Sequence, residues 1–506
     1  MPIAPAEPNR LALVLPGGGI RVAYQAGVVK ALQDHDLRFS IADAASGGTI
    51  NLAALLSGVT PDDLCRRWRE LDCRRFISAR PLGAYARFPR SGAFGDFDSI
   101  RDYVFPRLGI ELPRLRTAEG VRASFNVCEF DSKTVIPVPQ EEMSLQLLLA
   151  GISLPLATPP VRWQGRTWTD AVWIRDANLM EAVRKGAEEI WVAWCIGNTD
   201  RFEDGLLEQY VHMIEMATVG KLNEELAEIA ALNRRIAAGD SPHGHTRSIT
   251  VHVIHPQMPL PLDPDLVAGR IDTASLIAYG YRDARAYLAG ADPAGTPLNP
   301  AATRMRLPAG GVHFREVMSG RITWGEQDPL AGAADPAAHA VALHAAIDID
   351  DIRGFIIDPD HHGGLAGYVV WPRRGGHLPV ERGTLGLFSP TPDPRVSHMI
   401  YAGGIVIEGQ RYWFNGRKHV RFAGPWRLWS ATTRLHVTVH EGEDERGPIV
   451  AAGLLTLSPA ALVDLLRSFR PLGTRTPLAG LRAVLAFMRF FAGELARHFL
   501  TRRTRR

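Results

Sequence analysis

The strongest constraint on the fold is a corner. In Ala44-Ala45-Ser46-Gly47-Gly48, small residues separate the strand-like run Phe39 to Asp43 from the helix-like run Thr49 to Leu56. A strand that turns at once into a helix strains its corner residue and points that side chain clear of both elements. Small neighbours make room for such a turn. The corner residue is Ser46. Its backbone lies at a helix N-terminus, where free N–H groups and the dipole favour developing negative charge. The pattern G-x-S-x-G is kept except at its first position, where Ala44 replaces glycine. A plain strand-to-helix turn would use the same small residues, so the corner needs support from the rest of the chain.

A second glycine-rich turn precedes it. Leu11 to Leu15 is a continuous apolar run of the kind found in buried parallel strands. It leads into Pro16-Gly17-Gly18-Gly19-Ile20-Arg21, and Val22 to Leu32 reads as a helix. Three glycines between a strand and a helix offer unhindered backbone N–H groups that can cradle a phosphate or an oxyanion. The dinucleotide fingerprint G-x-G-x-x-G fails at its last position, Val22, although Asp43 falls where a ribose-binding acid would.

The alternation continues. Val121 to Phe130, Thr134 to Val138, Ile190 to Ile196 and Ile249 to Ile254 read as strands. Leu145 to Leu149, Leu179 to Lys185, residues 204–238 and Thr273 to Leu288 read as helices, with Leu222, Leu226 and Ile229 as a core stripe. Thr60-Pro61-Asp62-Asp63 is a helix start. The helix after it is rich in arginine (Arg66, Arg67, Arg69, Arg74, Arg75), continued by Arg80, Arg87 and Arg90 beside Tyr85 and Phe88. It reads as a solvated face first and an anionic-headgroup surface second. Asp170, in Trp168-Thr169-Asp170-Ala171-Val172, is expected on a loop between strand-like segments, where most aspartates are turn residues. Residues 11–290 therefore predict an α/β domain with a mainly parallel sheet and flanking helices. His252 or His255 could complete a Ser–Asp–His triad, but both fall in a strand-like run.

Residues 291–311 are rich in proline and glycine and read as a linker after that domain and the extension 1–10. A second, β-rich (α+β) domain is expected over 312–477, a sandwich or barrel. Its short runs are Phe355 to Ile357, Gly367 to Trp371, Ile400 to Ile407, Tyr412 to Phe414 and Arg434 to Val439. Trp413, Trp426 and Trp429 are expected in its core. Residues 478–506 form a cationic amphipathic helix with Arg482, Arg489 and Arg497, ending in Arg502, Arg503, Arg505 and Arg506. Such a helix can lie on an anionic membrane or dock on its own domain.

Composition narrows the function. With 506 residues, more than one core is needed. A net charge of +3 that resides in the terminal arginines argues against nucleic-acid binding. Cys65, Cys73, Cys128 and Cys195 form no C-x-x-C pair, which indicates neither a zinc site nor a disulfide framework. The N-terminus has no apolar signal-peptide core, and no apolar run approaches the roughly 18 residues of a membrane span. A cytoplasmic protein, with peripheral membrane contact left open, is expected. Oligomeric state is not legible.

Taken together, these pieces resemble the patatin-like phospholipases over roughly residues 11–200. Gly17, Gly18, Gly19 and Arg21 match the family's G-G-G-x-R-G, and Ser46 and Gly48 match its G-x-S-x-G. Ala150, Pro155, Pro159 and Pro160 keep the spacing of A-S-x-A-x-P before P-P. Asp170 matches its D-G-G or D-G-A, and Asn178 with Gly186-Ala187 continues the pattern. The departures are Val22, Ala44, Gly151 and Ala171. The resemblance implies a lipid acyl hydrolase needing no metal or cofactor. In it Ser46 attacks a lipid ester, Asp170 is the base, and the N–H groups of Gly17, Gly18 and Gly19 hold the oxyanion. Arg21 and Gly48 act in support. Two alternatives stand beside it: a catalytically degenerate lipid-binding protein on the same fold, and a nucleotide-binding oxidoreductase. Strings within 312–500, such as H-F-R-E-V-M-S-G and F-N-G-R-K, are similar to a segment attached to cholesterol-oxidase-like flavoproteins. That likeness implies an accessory lipid-associated module.

Overall fold

The computed structural model describes residues 10–86, 92–267, 269, 271–393, 396–421, 428–474 and 476–499. Arg87, Phe88, Arg90, Trp426 and the four terminal arginines lie outside these residues. The chain divides into two compact units, Met1–Ala268 with Asp272–Arg306, and Gly269–Ile271 with Leu307–Arg506.

The first unit is built on a sheet of eight strands: β1 (Leu11–Leu15), β2 (Ile41–Ala45), β3 (Arg122–Glu129), β4 (Thr134–Pro139), β5 (Val161–Trp163), β6 (Arg166–Asp170), β7 (Glu189–Ala193) and β8 (Thr250–Ile254). The spatial order is β8-β7-β1-β2-β3-β6-β5, with β4 also on β3. The strands β8, β7, β1, β2 and β3 pair in parallel, and β4, β5 and β6 join antiparallel. Strand β1 lies between β2, which follows it, and β7, which comes much later. Strand order therefore reverses at β1, and ligands of such sheets usually sit outside the carboxyl ends of the strands near that reversal, the end from which the turns after β1 and β2 leave.

Helices cover the sheet: α1 (Ala23–Asp34), α2 (Gly48–Leu56), α3 (Pro61–Glu70), α4 (Leu145–Gly151), α5 (Leu179–Arg184), α6 (Leu206–Ala237) and α7 (Thr273–Ala289). Thr60 caps α3 through the Asp63 N–H, as its sequence indicates. Leu222, Leu226 and Ile229 of α6 are buried against Val14, Ile190 and Val251. Arg66 pairs with Asp63 and Glu70, and Arg74 pairs with Asp72, so part of the arginine-rich face is neutralised by neighbouring acids. Ala302 and Met305 are buried in the first unit's core, so part of the 291–311 stretch is packed chain.

The second unit is an antiparallel barrel of β9 (Gly311–Trp324), β10 (His339–Ile349), β11 (His362–Trp371), β12 (Glu381–Pro390), β13 (Val396–Ile407), β14 (Gln410–Arg421), β15 (Arg434–Glu441) and β16 (Ile449–Thr456). The order β10-β9-β16-β15-β14-β13-β12-β11 closes by pairing of β10 with β11, which removes the sheet edges. Helices α8 (Ile352–Ile357), α9 (Pro459–Ser468) and α10 (Pro477–Phe499) pack with it. Phe355 to Ile357, expected as a strand, is helical, because Asp351 caps that turn by accepting the Arg353 N–H at 2.9 Å. Trp429, expected in the core, is 48% exposed. Ala483 and Phe487 on one face of α10 are buried in the barrel unit's core. Among the described residues no helix is long and apolar enough to cross a membrane.

Candidate active site

Ser46 occupies the corner between β2 and α2 with φ of +49°. A non-glycine residue in that region stores of order 1–3 kcal/mol of strain, and such strain persists only where the surroundings enforce it. The enforcement is visible in α2. A Cβ on Gly48 would fall 2.0 Å from the Leu15 carbonyl oxygen and 2.6 Å from that of Pro16, so only glycine lets α2 start this close to the end of β1. Strand β2 runs to Ala45, two residues further than its sequence suggests, and so delivers the serine directly from the sheet.

Asp170 is the last residue of β6 and pairs with Val127, so it is held by the sheet and not, as expected, by a loop. The Ser46 hydroxyl donates to Asp170 Oδ2 at 2.7 Å, and the Val172 N–H donates to Oδ1 at 2.9 Å. Burial pushes the Asp170 carboxyl up to about 7, against the Ser46 hydroxyl and the N–H groups of Val172 and Ala171, which pull it down. A hydroxyl donating to a carboxylate with this proton affinity is the arrangement through which a serine can lose its proton as it attacks.

The loop after β6 is tied down from three sides. Asn178 caps α5 through the Glu181 N–H and also donates to Asn126 Oδ1 at 2.8 Å. Asn126 in turn donates to Asp43 and to the Ala44 carbonyl. Glu225, from α6, accepts the Leu179 N–H at 2.7 Å and pairs with Arg175 at 2.9 Å. Asp43 is 1% exposed and is engaged by Ser124 and Asn126, so it is a buried structural acid and not a ribose ligand. Burial pushes its carboxyl up to about 8.

The glycine loop lies beside Ser46, but its N–H groups are not all free. Gly17 was expected among the oxyanion donors; its N–H is instead taken by Asp176, at 2.9 Å to Oδ1 and 3.0 Å to Oδ2. At the far end the Ile20 N–H donates to Asp263 at 3.2 Å. No hydrogen bond is made by the N–H of Gly18 or Gly19 among the described residues. Arg21 is 9% exposed and its Nε holds the Gly18 carbonyl at 3.0 Å, bracing the loop from within. Gln25 supports the same loop from α1, donating to the carbonyls of Pro16 and Ala193.

The departures from the motif fall where the backbone allows them. Val22, Ala44 and Ala171 are not among the residues with positive φ, and each is fully buried. A Cβ on Gly151 would meet Thr49 Oγ1 at 3.6 Å, an ordinary contact. The histidines considered for a triad are engaged elsewhere. His252 Nδ1 bonds Tyr287 and its ring stacks on Trp191, while His255 bonds the Pro256 carbonyl. Among the described residues the group with metal-ligand character is Asp358, Asp360 and His362, in the barrel unit.

Residues 13–183 match the family model of the patatin-like phospholipases. No curated protein matches the chain. Ser46 and Asp170 both lie inside the matched span. Asp176, also inside that span, and Asp263, beyond it, were missed by sequence reasoning. Asp176 carries one readable signal, an acid in the loop that follows Asp170. Asp263 carries none, because its partner lies 243 residues away.

Proposed function

We propose that the patatin-like domain hydrolyses carboxylic esters of lipids through a Ser46–Asp170 dyad. The observation that carries this reading is the 2.7 Å hydrogen bond from Ser46 Oγ to Asp170 at a strained corner. As Oγ attacks the ester carbonyl, Asp170 takes its proton. The carbonyl oxygen becomes an oxyanion facing the N–H groups of Gly18 and Gly19. The tetrahedral species collapses to an acyl-serine, and the alcohol leaves with the proton that Asp170 returns. Water, deprotonated by the same carboxylate, then releases the fatty acid and restores Ser46. Each oxyanion donor of this kind is worth about a hundredfold or more in rate.

Lipid esters are met at interfaces, and the outward face of α10 suits one. Leu478, Leu481 and Leu485 are exposed there, with Arg482 and Arg489 exposed beside them. Contact with an anionic membrane surface through this face is part of the proposal.

The test is hydrolysis of a short-chain p-nitrophenyl ester and of a phospholipid by wild type, Ser46→Ala and Asp170→Asn. Activity abolished by both substitutions supports the dyad. A folded wild type that binds lipid and turns over neither substrate replaces it with the degenerate lipid-binding reading.

A further inference from the structure

Asp176 is 1% exposed, and both of its carboxyl oxygens accept the Gly17 N–H. A Cβ built on Gly17 would fall 2.5 Å from Asp176 Oδ1 and 2.9 Å from Ser46 Oγ, so the carboxyl and the nucleophile flank the same small space. A peptide N–H already held by a side chain is not available to an oxyanion. Its occupation does something else: it pins the first peptide of the glycine loop. Asp263 pins the other end through Ile20, and the N–H groups of Gly18 and Gly19 lie between the two anchors without partners among the described residues.

The charged and titratable groups facing Asp176 are Asp170 at the end of β6, Arg21 in the loop itself, and Cys195 just after β7. Burial first, and then the charge of Asp170, push the Asp176 carboxyl well above the usual carboxylate range; the Gly17 N–H and Arg21 pull the other way. The Cys195 thiol donates to the Gly17 carbonyl at 3.0 Å and is itself pushed up to about 12 by burial, so it stays uncharged. Two carboxyls in one buried site do not both ionise readily, and here Asp170 is the one that must. An ionised Asp176 would set a second negative charge against both the Asp170 carboxylate and the forming oxyanion.

We propose that Asp176 is a positioning residue for acyl transfer: its carboxyl fixes the first peptide of the glycine loop so that Gly18 and Gly19 meet the oxyanion, and a negative charge on it, beside Ser46 and Asp170, opposes the reaction. The proposal rests on the dyad reading above. It gives Asp176 no bond to substrate and no proton to transfer.

The experiment is a pH–rate profile of the full chain on a short-chain p-nitrophenyl ester, from about pH 5 to 10, for wild type, Asp176→Asn and Asp176→Ala. Wild type falls off at both ends. Asp176→Asn keeps an oxygen for the Gly17 N–H and cannot ionise. It keeps the acid limb, loses the alkaline limb, and retains kcat within about tenfold. Asp176→Ala unpins the loop, and kcat falls by about tenfold to a hundredfold while KM moves by less than about threefold. If the alanine variant does not fold, the asparagine profile decides alone. An alkaline limb that persists in Asp176→Asn, or a folded alanine variant with wild-type kcat, overturns the proposal and leaves the dyad standing. A wild type without turnover, or an active Ser46→Ala, overturns both.

Discussion

Gly48 and Leu15 meet so closely that a Cβ at residue 48 would lie 2.0 Å from the Leu15 carbonyl oxygen. The contact is backbone to backbone, so no side chain can swing away to relieve it. Gly48→Ala must therefore push α2 off the end of β1, with a cost of about 1–3 kcal/mol or more. Gly151 is the control, since a Cβ there finds ordinary contact distances. Gly151→Ala is expected to change stability by less than about 1 kcal/mol. Urea unfolding midpoints of the two variants check this, and equal midpoints would contradict the close approach.

The acid limb of activity should report Asp170. Burial places its carboxyl at about 7. The base must be ionised before it can accept the Ser46 proton, so kcat/KM is expected to fall about tenfold for each pH unit below that value and to level off above it until the alkaline limb assigned to Asp176 sets in. An unperturbed carboxylate would put the limb near pH 4. A profile flat from about pH 5 upward would mean that Asp170 is not the group that limits the rate.

Legibility in the sequence followed the range of the interactions. Ser46 could be read because a strained corner needs small neighbours within two residues, and Gly47 and Gly48 supply them. The strand before it was read two residues short. Ala44 and Ala45 carry no strand signal of their own and are strands through pairing with Phe125 and Asn126 of β3. Phe355 to Ile357 looked like a strand because its apolar content says nothing of period over three residues, whereas Asp351, the residue that starts the helix, stands outside the run. Asp170 could be placed only through the resemblance. The roles of Asp176 and Asp263 depend on chain closure over 159 and 243 residues, which no local pattern encodes.

The barrel contains a buried charge that can be tested apart from catalysis. Lys418 Nζ lies 2.6 Å from Glu316 Oε1, each side chain 3% exposed, and Tyr401 donates to Glu316 Oε2 at 2.6 Å. The pair joins β14 to β9, strands that are not neighbours in the sheet order. Lys418→Met would strand the Glu316 charge, at about 3–5 kcal/mol. Lys418→Met with Glu316→Gln should recover part of that loss, since the charge goes with its partner. A double variant as unstable as the single one in thermal unfolding would show that packing around Lys418, and not the ion pair, dominates.

The outward face of α10 makes its own prediction. Phe487 and Ala483 point into the barrel unit's core, which leaves Leu478, Leu481 and Leu485 exposed on another side of the same helix. Arg482 and Arg489 are exposed beside this stripe, and no acidic residue falls between Pro477 and Gly493. An apolar stripe flanked by cations on a docked helix favours an anionic lipid surface over a neutral one. Each arginine near such a surface contributes about 1 kcal/mol, screened by salt. The full chain is expected to co-sediment with vesicles containing phosphatidylserine more than with pure phosphatidylcholine, and less as salt rises. Arg482→Glu with Arg489→Glu should weaken this binding at least about tenfold. The same variant should leave hydrolysis of a monomeric p-nitrophenyl ester untouched, because the face it alters is far from the Ser46 corner in sequence and touches none of its named partners. Salt-insensitive sedimentation, equal on both vesicle types, would remove the membrane role from this helix.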